Sequence, residues 1–501
     1  VVKTLEGRFF NAPAKLWTAP NIGKNIGILE KAGFKMIGLI KKEVFHEEVK
    51  PKEIIKIDPK KLHPELFPYQ VDGVSFLETN IGKGLVLFDM GIGKTAIASS
   101  YIKIHPEFKK IIVICPSSIK YNWQRELSKW AGENSSYLIS GRTSFTLPNY
   151  RIFIINYDIL KDWEKKLIDL EADLIIIDEC QKFGNHKSKM VSSFLKIAHL
   201  IERRIFLSGT PIRNRPKEFW VTLSLLDHIQ FGNRWDFFQK FCNPSYSRFG
   251  WDFSGASNIE ELHEKIAPLH IRKTKEEVLK DLPEKQKFIL PLELDDVLAE
   301  KYWHENEQFR KWVEDTKNKK GLEVRNKIEY LRQLAYQAKR DSLIDWLKDL
   351  VDNNRKVVIF GYHKNVLDDI ENEFKTISVR LDGSTPTQKR QEYIDQFQMD
   401  KEIKVFIGQL IAAGSGITLT AAHVAVMAEM WWVPADHEQA ENRIHRIGTK
   451  ENVQIYYPVG IGTVEETMAS RLIEKYNIIS QIIDGKDGEF FQGQVLEEIL
   501  K

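Results

Sequence analysis

Cysteine is scarce. The chain of 501 residues has three, Cys115, Cys180 and Cys242, far apart and without Cys-x-x-Cys or Cys/His ligand spacing. That pattern excludes a disulfide scaffold and a structural zinc. Long hydrophobic runs are missing as well, since no segment approaches the roughly 18 apolar residues of a membrane span. Val1-Val2-Lys3-Thr4 does not open a signal peptide. The expectation is an intracellular chain without a membrane partner, in the cytoplasm or nucleoid if bacterial or viral and in the nucleus if eukaryotic. An excess of one charge is also lacking: Lys plus Arg number 73 and Asp plus Glu 70, a net +3. A nucleic-acid surface must therefore be a local patch.

What is present is an α/β grammar that occurs twice. Gly84–Phe88, Ile111–Cys115, Ile152–Ile155, Leu174–Ile177 and Ile205–Leu207 are near-continuous apolar runs separated by helical patterns. So are Lys356–Phe360, Ile377–Leu381, Val405–Ile407, Val424–Met427 and Val453–Tyr457. Such runs suit strands of a parallel sheet buried on both faces. The expected division is a small N-terminal domain over 1–50, a first lobe over 51–215, mostly helical insertions and connector over 216–350, a second lobe over 351–465, and C-terminal bracing helices over 466–501.

One absence has a sharper consequence. Met90-Gly91-Ile92-Gly93-Lys94-Thr95 ends like a phosphate-binding loop, but the pattern G-x-x-x-x-G-K-[ST] puts glycine at 88, where the chain has Phe88. The strand before it and Ala96–Tyr101 after it supply the setting in which loop amides and a helix N-terminus face phosphates. The alternative is an ordinary strand-turn-helix with an exposed lysine. Asp178 and Glu179, at the C-terminal end of the strand Leu174–Ile177, favour the phosphate reading, because ligands of open α/β sheets sit at that end. Asp178, with Thr95, is then a magnesium holder, Lys94 meets the β and γ phosphates, and Glu179 polarises the attacking water.

A dissociating γ-phosphoryl group needs further cations. Arg443 and Arg446, three apart in Gln439–Gly448, are the candidates, on one face if that segment is helical. Gln70 carries the donor and acceptor that reading an adenine edge requires, with Phe67 or Tyr69 nearby. Ser208-Gly209-Thr210-Pro211 is placed to relay the state of the γ-phosphate to the polymer side. Solvent arginines, a surface glutamine and an ordinary turn are the plainer readings of these segments.

Together these residues resemble the Snf2 group of superfamily 2 helicase-type motors. Gln70, Met90 to Thr95, Asp178-Glu179-Cys180-Gln181, Ser208 to Pro211, Gly414 to Ala422 and Gln439 to Gly448 match its successive motifs. Phe241-Cys242-Asn243, Gly250 to Asn258, Ile271 to Val278 and Asp281-Leu282-Pro283 resemble its annealing-helicase branch, the HARP or SMARCA-like proteins, and residues 1–50 loosely resemble the HARP domain. The resemblance implies two RecA-like parallel-sheet lobes, ATP and Mg2+ as cofactors, and a monomeric DNA translocase that acts on duplex or forked DNA and remodels or reanneals it. Members of the group also lack glycine at the position of Phe88. Gln181 and Thr449 depart from the usual histidine and glutamine.

For the polymer side, residues that follow strands are the candidates: Ser117, Ser118, Lys120, Asn156, Tyr157, Gly383, Ser384, Lys389, Arg390, Ser415 and Thr418, each equally readable as loop capping. Trp123 and Trp130 read as the packed face of an amphipathic helix. A strand-separating helicase, a nucleotide-gated DNA-binding scaffold without significant turnover, and an RNA remodeler remain alternatives. No protein partner is legible, whether a single-strand-binding protein or a replication-fork component.

Overall fold

The structure, a computed structural model, describes residues 9–11, 16–18, 54–247, 250–315, 321–353, 355–413, 417–488 and 490–491. In the expected N-terminal domain the described pieces are β1 (Phe9–Asn11) and β2 (Leu16–Thr18), which pair antiparallel with Phe10 opposite Trp17. The rest of that expectation lies outside the described residues.

The chain divides into two compact units, Val1–Val278 with Ile482–Gly485, and Leu279–Gln481 with Lys486–Lys501. The first unit is built on β3 (Lys83–Phe88), β4 (Ile111–Cys115), β5 (Ser136–Leu138), β6 (Ile152–Asn156), β7 (Leu174–Asp178) and β8 (Arg203–Leu207). A hairpin of β9 (Ser245–Ser247) and β10 (Gly250–Asp252) follows, then β11 (His270–Lys273). The sheet has seven parallel strands in the order β11-β3-β8-β7-β4-β6-β5. Every residue of β4, β6 and β7 is buried. Each such isoleucine or valine contributes about 1.5–3 kcal/mol of burial, which is why these runs are apolar without alternation.

The second unit repeats the plan with β12 (Lys285–Leu292), β13 (Val357–Gly361), β14 (Ser378–Leu381), β15 (Val405–Gln409), β16 (Val424–Met427) and β17 (Val453–Gly460), all parallel in the order β12-β17-β16-β13-β15-β14. Successive residues of β13 enter opposite cores. Val358 and Phe360 join Phe406, Met427 and Leu472, whereas Val357 and Ile359 join Leu343, Leu347 and Ile407. Two-residue periodicity thus divides one apolar run between two helical layers.

Region 216–350 does more than connect. It holds the helices Asp296–Asp315 and Gly321–Asp352, but it also supplies the edge strand β11 to the first sheet and β12 to the second. His270-Ile271-Arg272-Lys273 has no apolar run because an edge strand is flanked on one side only. The helix Val464–Asp484 closes the second unit, and its last residues group with the first.

Candidate active site

The loop between β3 and the helix Lys94–Ile104 turns on two left-handed glycines, Gly91 at φ 88° and Gly93 at φ 92°. A Cβ on Gly93 would lie 2.1 Å from Gln70 Nε2. Gln70 itself is buried and fastens the loop: Nε2 donates to Ile92 O at 3.2 Å, and Oε1 accepts from Phe67 N at 3.0 Å. One amide proton and one lone pair remain for a ligand. Nearby, Phe67 and Tyr69 stack at 5.6 Å, with Phe67 exposed and Tyr69 Oη buried without a hydrogen-bond partner.

Phe88 explains the missing glycine. Its ring is fully buried in the core, its φ is not positive, and its carbonyl accepts from Lys94 Nζ at 2.8 Å. Lys94 Nζ also donates to Asp89 O at 3.1 Å. Burial lowers the lysine's affinity for its proton, while Glu179, Asp178 and Asp89 act to restore it. Met90 and Ile92 are buried, Gly91 is exposed and Thr95 is half-buried at the helix start.

The carboxylates stand at the end of β7. Burial, then the like charge of Glu179, push Asp178 up to about 7 against the opposing effect of Trp123 and Lys94. Trp123 Nε1 donates to Asp178 Oδ2 at 2.8 Å. The packed tryptophan therefore also orients a carboxylate, since a buried indole N–H needs an acceptor. Glu179 sits at φ 59°, a left-handed backbone that costs a non-glycine residue roughly 1–2 kcal/mol.

Gln181 bridges two segments that sequence reading treated separately. Its Nε2 donates to Glu179 Oε2, and its Oε1 accepts from Ser208 Oγ at 2.7 Å. Ser208 Oγ in turn accepts from Thr210 N at 3.0 Å. The Ser208–Thr210 turn lies against the loop, as a Cβ on Gly209 would come within 3.4 Å of Met90 N. Thr210 Oγ1 is buried and unpartnered. A helix N-terminus, a buried lysine, paired carboxylates and two unpartnered hydroxyls, Tyr69 Oη and Thr210 Oγ1, fit a nucleoside triphosphate with a divalent cation.

On the second unit, described by itself, the helix Pro434–Glu441 ends before the two arginines, so they do not share a helical face. A turn brings them together instead. Arg443 Nη1 and Arg446 Nη1 each donate to Ile417 O at 3.2 Å, and Arg446 Nη1 also reaches Thr418 Oγ1 at 2.7 Å. Thr449 closes that turn, accepting from Arg446 N and donating to Ile444 O. Glu441 is taken by Lys285, Lys287 and Tyr457, at 3.0, 3.0 and 2.6 Å. Two of these partners come from the edge strand β12.

Several expected polymer contacts are interior groups. Lys120 is buried, with Nζ donating to Ile139 O at 2.5 Å, and Asn156 is buried beside it. Tyr157 is buried, and its hydroxyl donates to Asp178 O. A residue directly after a buried strand is as readily turned inward as outward, and sequence position alone does not separate the two. Ser117, Ser118, Gly383, Ser384 and Lys389 are exposed. Ser384 bonds Asp382 Oδ1, Gly383 N donates to Gln409 Oε1, and Arg390 donates to Thr385 O and Asp382 O. Ser415 lies outside the described residues.

The SNF2-related domain family matches residues 69–382, and the helicase conserved C-terminal domain family matches residues 338–448. The chain is 31% identical over 446 residues to the DNA annealing helicase and endonuclease ZRANB3 of Bos taurus, covering 85% of this chain and 41% of that protein. It is 28% identical over 528 residues to the SWI/SNF-related matrix-associated actin-dependent regulator of chromatin subfamily A-like protein 1 homolog of Caenorhabditis elegans, covering 96% and 72%. The chain thus spans less than half of the ZRANB3 relative. A solved structure, the Sulfolobus solfataricus SWI2/SNF2 ATPase core in complex with dsDNA, is 26% identical with a TM-score of 0.41, covering 86% of this chain and 95% of that one.

Proposed function

The chain belongs to the SNF2-related family of ATPases, and from that premise we propose that it is a DNA-dependent ATPase that translocates on duplex or forked DNA and remodels or reanneals it. The observation that carries the reading is the set around Lys94: a buried ammonium in its own loop's carbonyls, within electrostatic reach of Asp178 and Glu179. Bound triphosphate oxygens replace those carbonyls on Lys94 Nζ, while the loop amides and the helix start cradle the phosphates. A magnesium ion held by Thr95 and Asp178 supplies charge neutralisation when bound.

Glu179 orients a water whose oxygen bonds to the γ-phosphorus as the bond to the β,γ-bridging oxygen breaks. The electron pair leaves with ADP, and the water's proton passes to Glu179 and on to solvent. Gln70 has the remaining donor and acceptor to take an adenine edge.

The test is phosphate release with and without duplex DNA for the native chain, Lys94→Ala and Glu179→Gln. The reading expects stimulation by DNA in the native chain and rates lowered about a hundredfold or more in both variants. Equal rates in all three would overturn it. Displacement of a labelled strand, against closure of a protein-coated bubble, separates unwinding from reannealing.

A further inference from the structure

A groove of about 560 Å³ opens on the first unit between the segment 181–187, the helix Arg234–Phe241 and the hairpin β9–β10. Nucleotide binding as described above leaves it unused. Its rim carries two large rings that packing has not covered: Trp235 is 45% exposed and Trp251 46%. They meet edge to face at 5.4 Å, and Phe253 lies nearly parallel to Trp251 and edge-on to Trp235. Phe253 also packs on the buried Phe238 at 5.1 Å, so the rings stand on a fixed floor.

The walls are basic. Lys182, Lys187, Lys217 and Arg234 line the groove. The carboxylates there are engaged within the protein: Glu218 Oε2 accepts from Asn214 N at 3.0 Å, and both oxygens of Asp252 accept from Ser254. Half-exposed indoles beside a cluster of positive charge do not suit a cationic guest, which would need an acidic or neutral aromatic cage. They suit a polyanion with flat faces. A duplex keeps its base faces stacked inside, so stacking on these indoles requires unpaired bases.

We propose that this groove binds the unpaired bases of a DNA strand, stacking them on Trp235 and Trp251 while the lysines and Arg234 meet the flanking phosphates. The proposal rests on the reading of the chain as a DNA motor and adds a second contact to it. Gln181 lines the same groove while donating to Glu179, so the stacked strand lies one side chain from the carboxylate that orients water.

Fluorescence anisotropy of a labelled oligothymidylate with the full chain, without nucleotide, tests it. The double variant Trp235→Ala/Trp251→Ala is expected to bind about tenfold or more weakly, and Trp251→Phe to stay within about threefold of native. An abasic strand of equal length should bind the native chain as weakly as thymidylate binds the double variant, a comparison that no folding defect can imitate. Hydrolysis stimulated by blunt duplex should be unchanged in all variants. Equal affinity of native and double variant, or of abasic and thymidylate strands, overturns the groove proposal. Absence of duplex-stimulated hydrolysis in the native chain counts instead against the motor reading.

Discussion

Arg272 Nη1 lies 2.6 Å from Asp89 Oδ1, tying the edge strand β11 to the residue from which the glycine loop before Lys94 departs. The same guanidinium donates to Leu87 O at 3.0 Å and, through Nε, to Asp484 Oδ1 at 2.9 Å. Asp89 Oδ2 accepts from Lys275 N at 3.0 Å, and its carbonyl accepts from Lys94 Nζ. Burial opposes the charge of Asp89, but Arg272 and the Lys275 amide hold its carboxyl below the ordinary aspartate range.

Arg272→Ala leaves two partly buried carboxylates without their shared cation. The first unit should lose about 3 kcal/mol of stability, read from urea unfolding. Arg272→Lys keeps the charge but not the fork and should recover less than half of that loss. A midpoint unchanged by Arg272→Ala would show that the triad does not anchor the loop.

Tyr157→Phe removes a hydroxyl that serves the backbone after β7. Stability should fall by about 1 kcal/mol, while DNA affinity and its salt dependence stay at native values. A weaker DNA complex with unaltered stability would return Tyr157 to the polymer surface.

Gln181→Ala breaks the bridge from Glu179 to Ser208. Its signature should be a kcat lowered about tenfold with ATP affinity held within about twofold, since the residue orients a carboxylate instead of touching the nucleotide. Steady-state hydrolysis with saturating DNA measures both quantities.

His363 gives the second unit an alkaline limit. Burial works against its charge, yet the carboxylates of Glu329 and Glu429, at 3.1 and 2.5 Å, carry it up to about 9 despite nearby Arg332. Its folded value exceeds the unfolded one near 6.5, so its stabilisation is complete below about pH 6.5 and disappears as pH rises through about 9. Thermal melts from pH 7 to about pH 10 should fall roughly 2–4 °C more in the native chain than in His363→Phe.

Apolar strands such as β4, β6 and β7 are legible in the sequence because burial on both faces demands unbroken isoleucine and valine. β5, β11 and β12 escape the same reading, since edge strands carry polar residues and β5 has three residues in all. Lys94, Asp178 and Glu179 stand out because loop and strand end are local patterns. The pair of Asp89 and Arg272 spans 183 positions and has no periodicity to betray it. Trp123 was readable as a packed ring, but its bond to Asp178 depends on two strands meeting side by side. Arg443 and Arg446 were recognisable as a pair, whereas the turn that joins them at Ile417 O depends on a distant carbonyl.

Phe88 shows what a pattern of residue types leaves out. Position 88 serves the ammonium through its carbonyl oxygen alone, and its side chain belongs to a different environment. The two roles are separable, so the identity of that side chain answers to the space beneath the strand and not to the lysine. A loop of this kind can therefore carry an aromatic ring where the pattern has its first glycine and keep the same carbonyl oxygen on the ammonium.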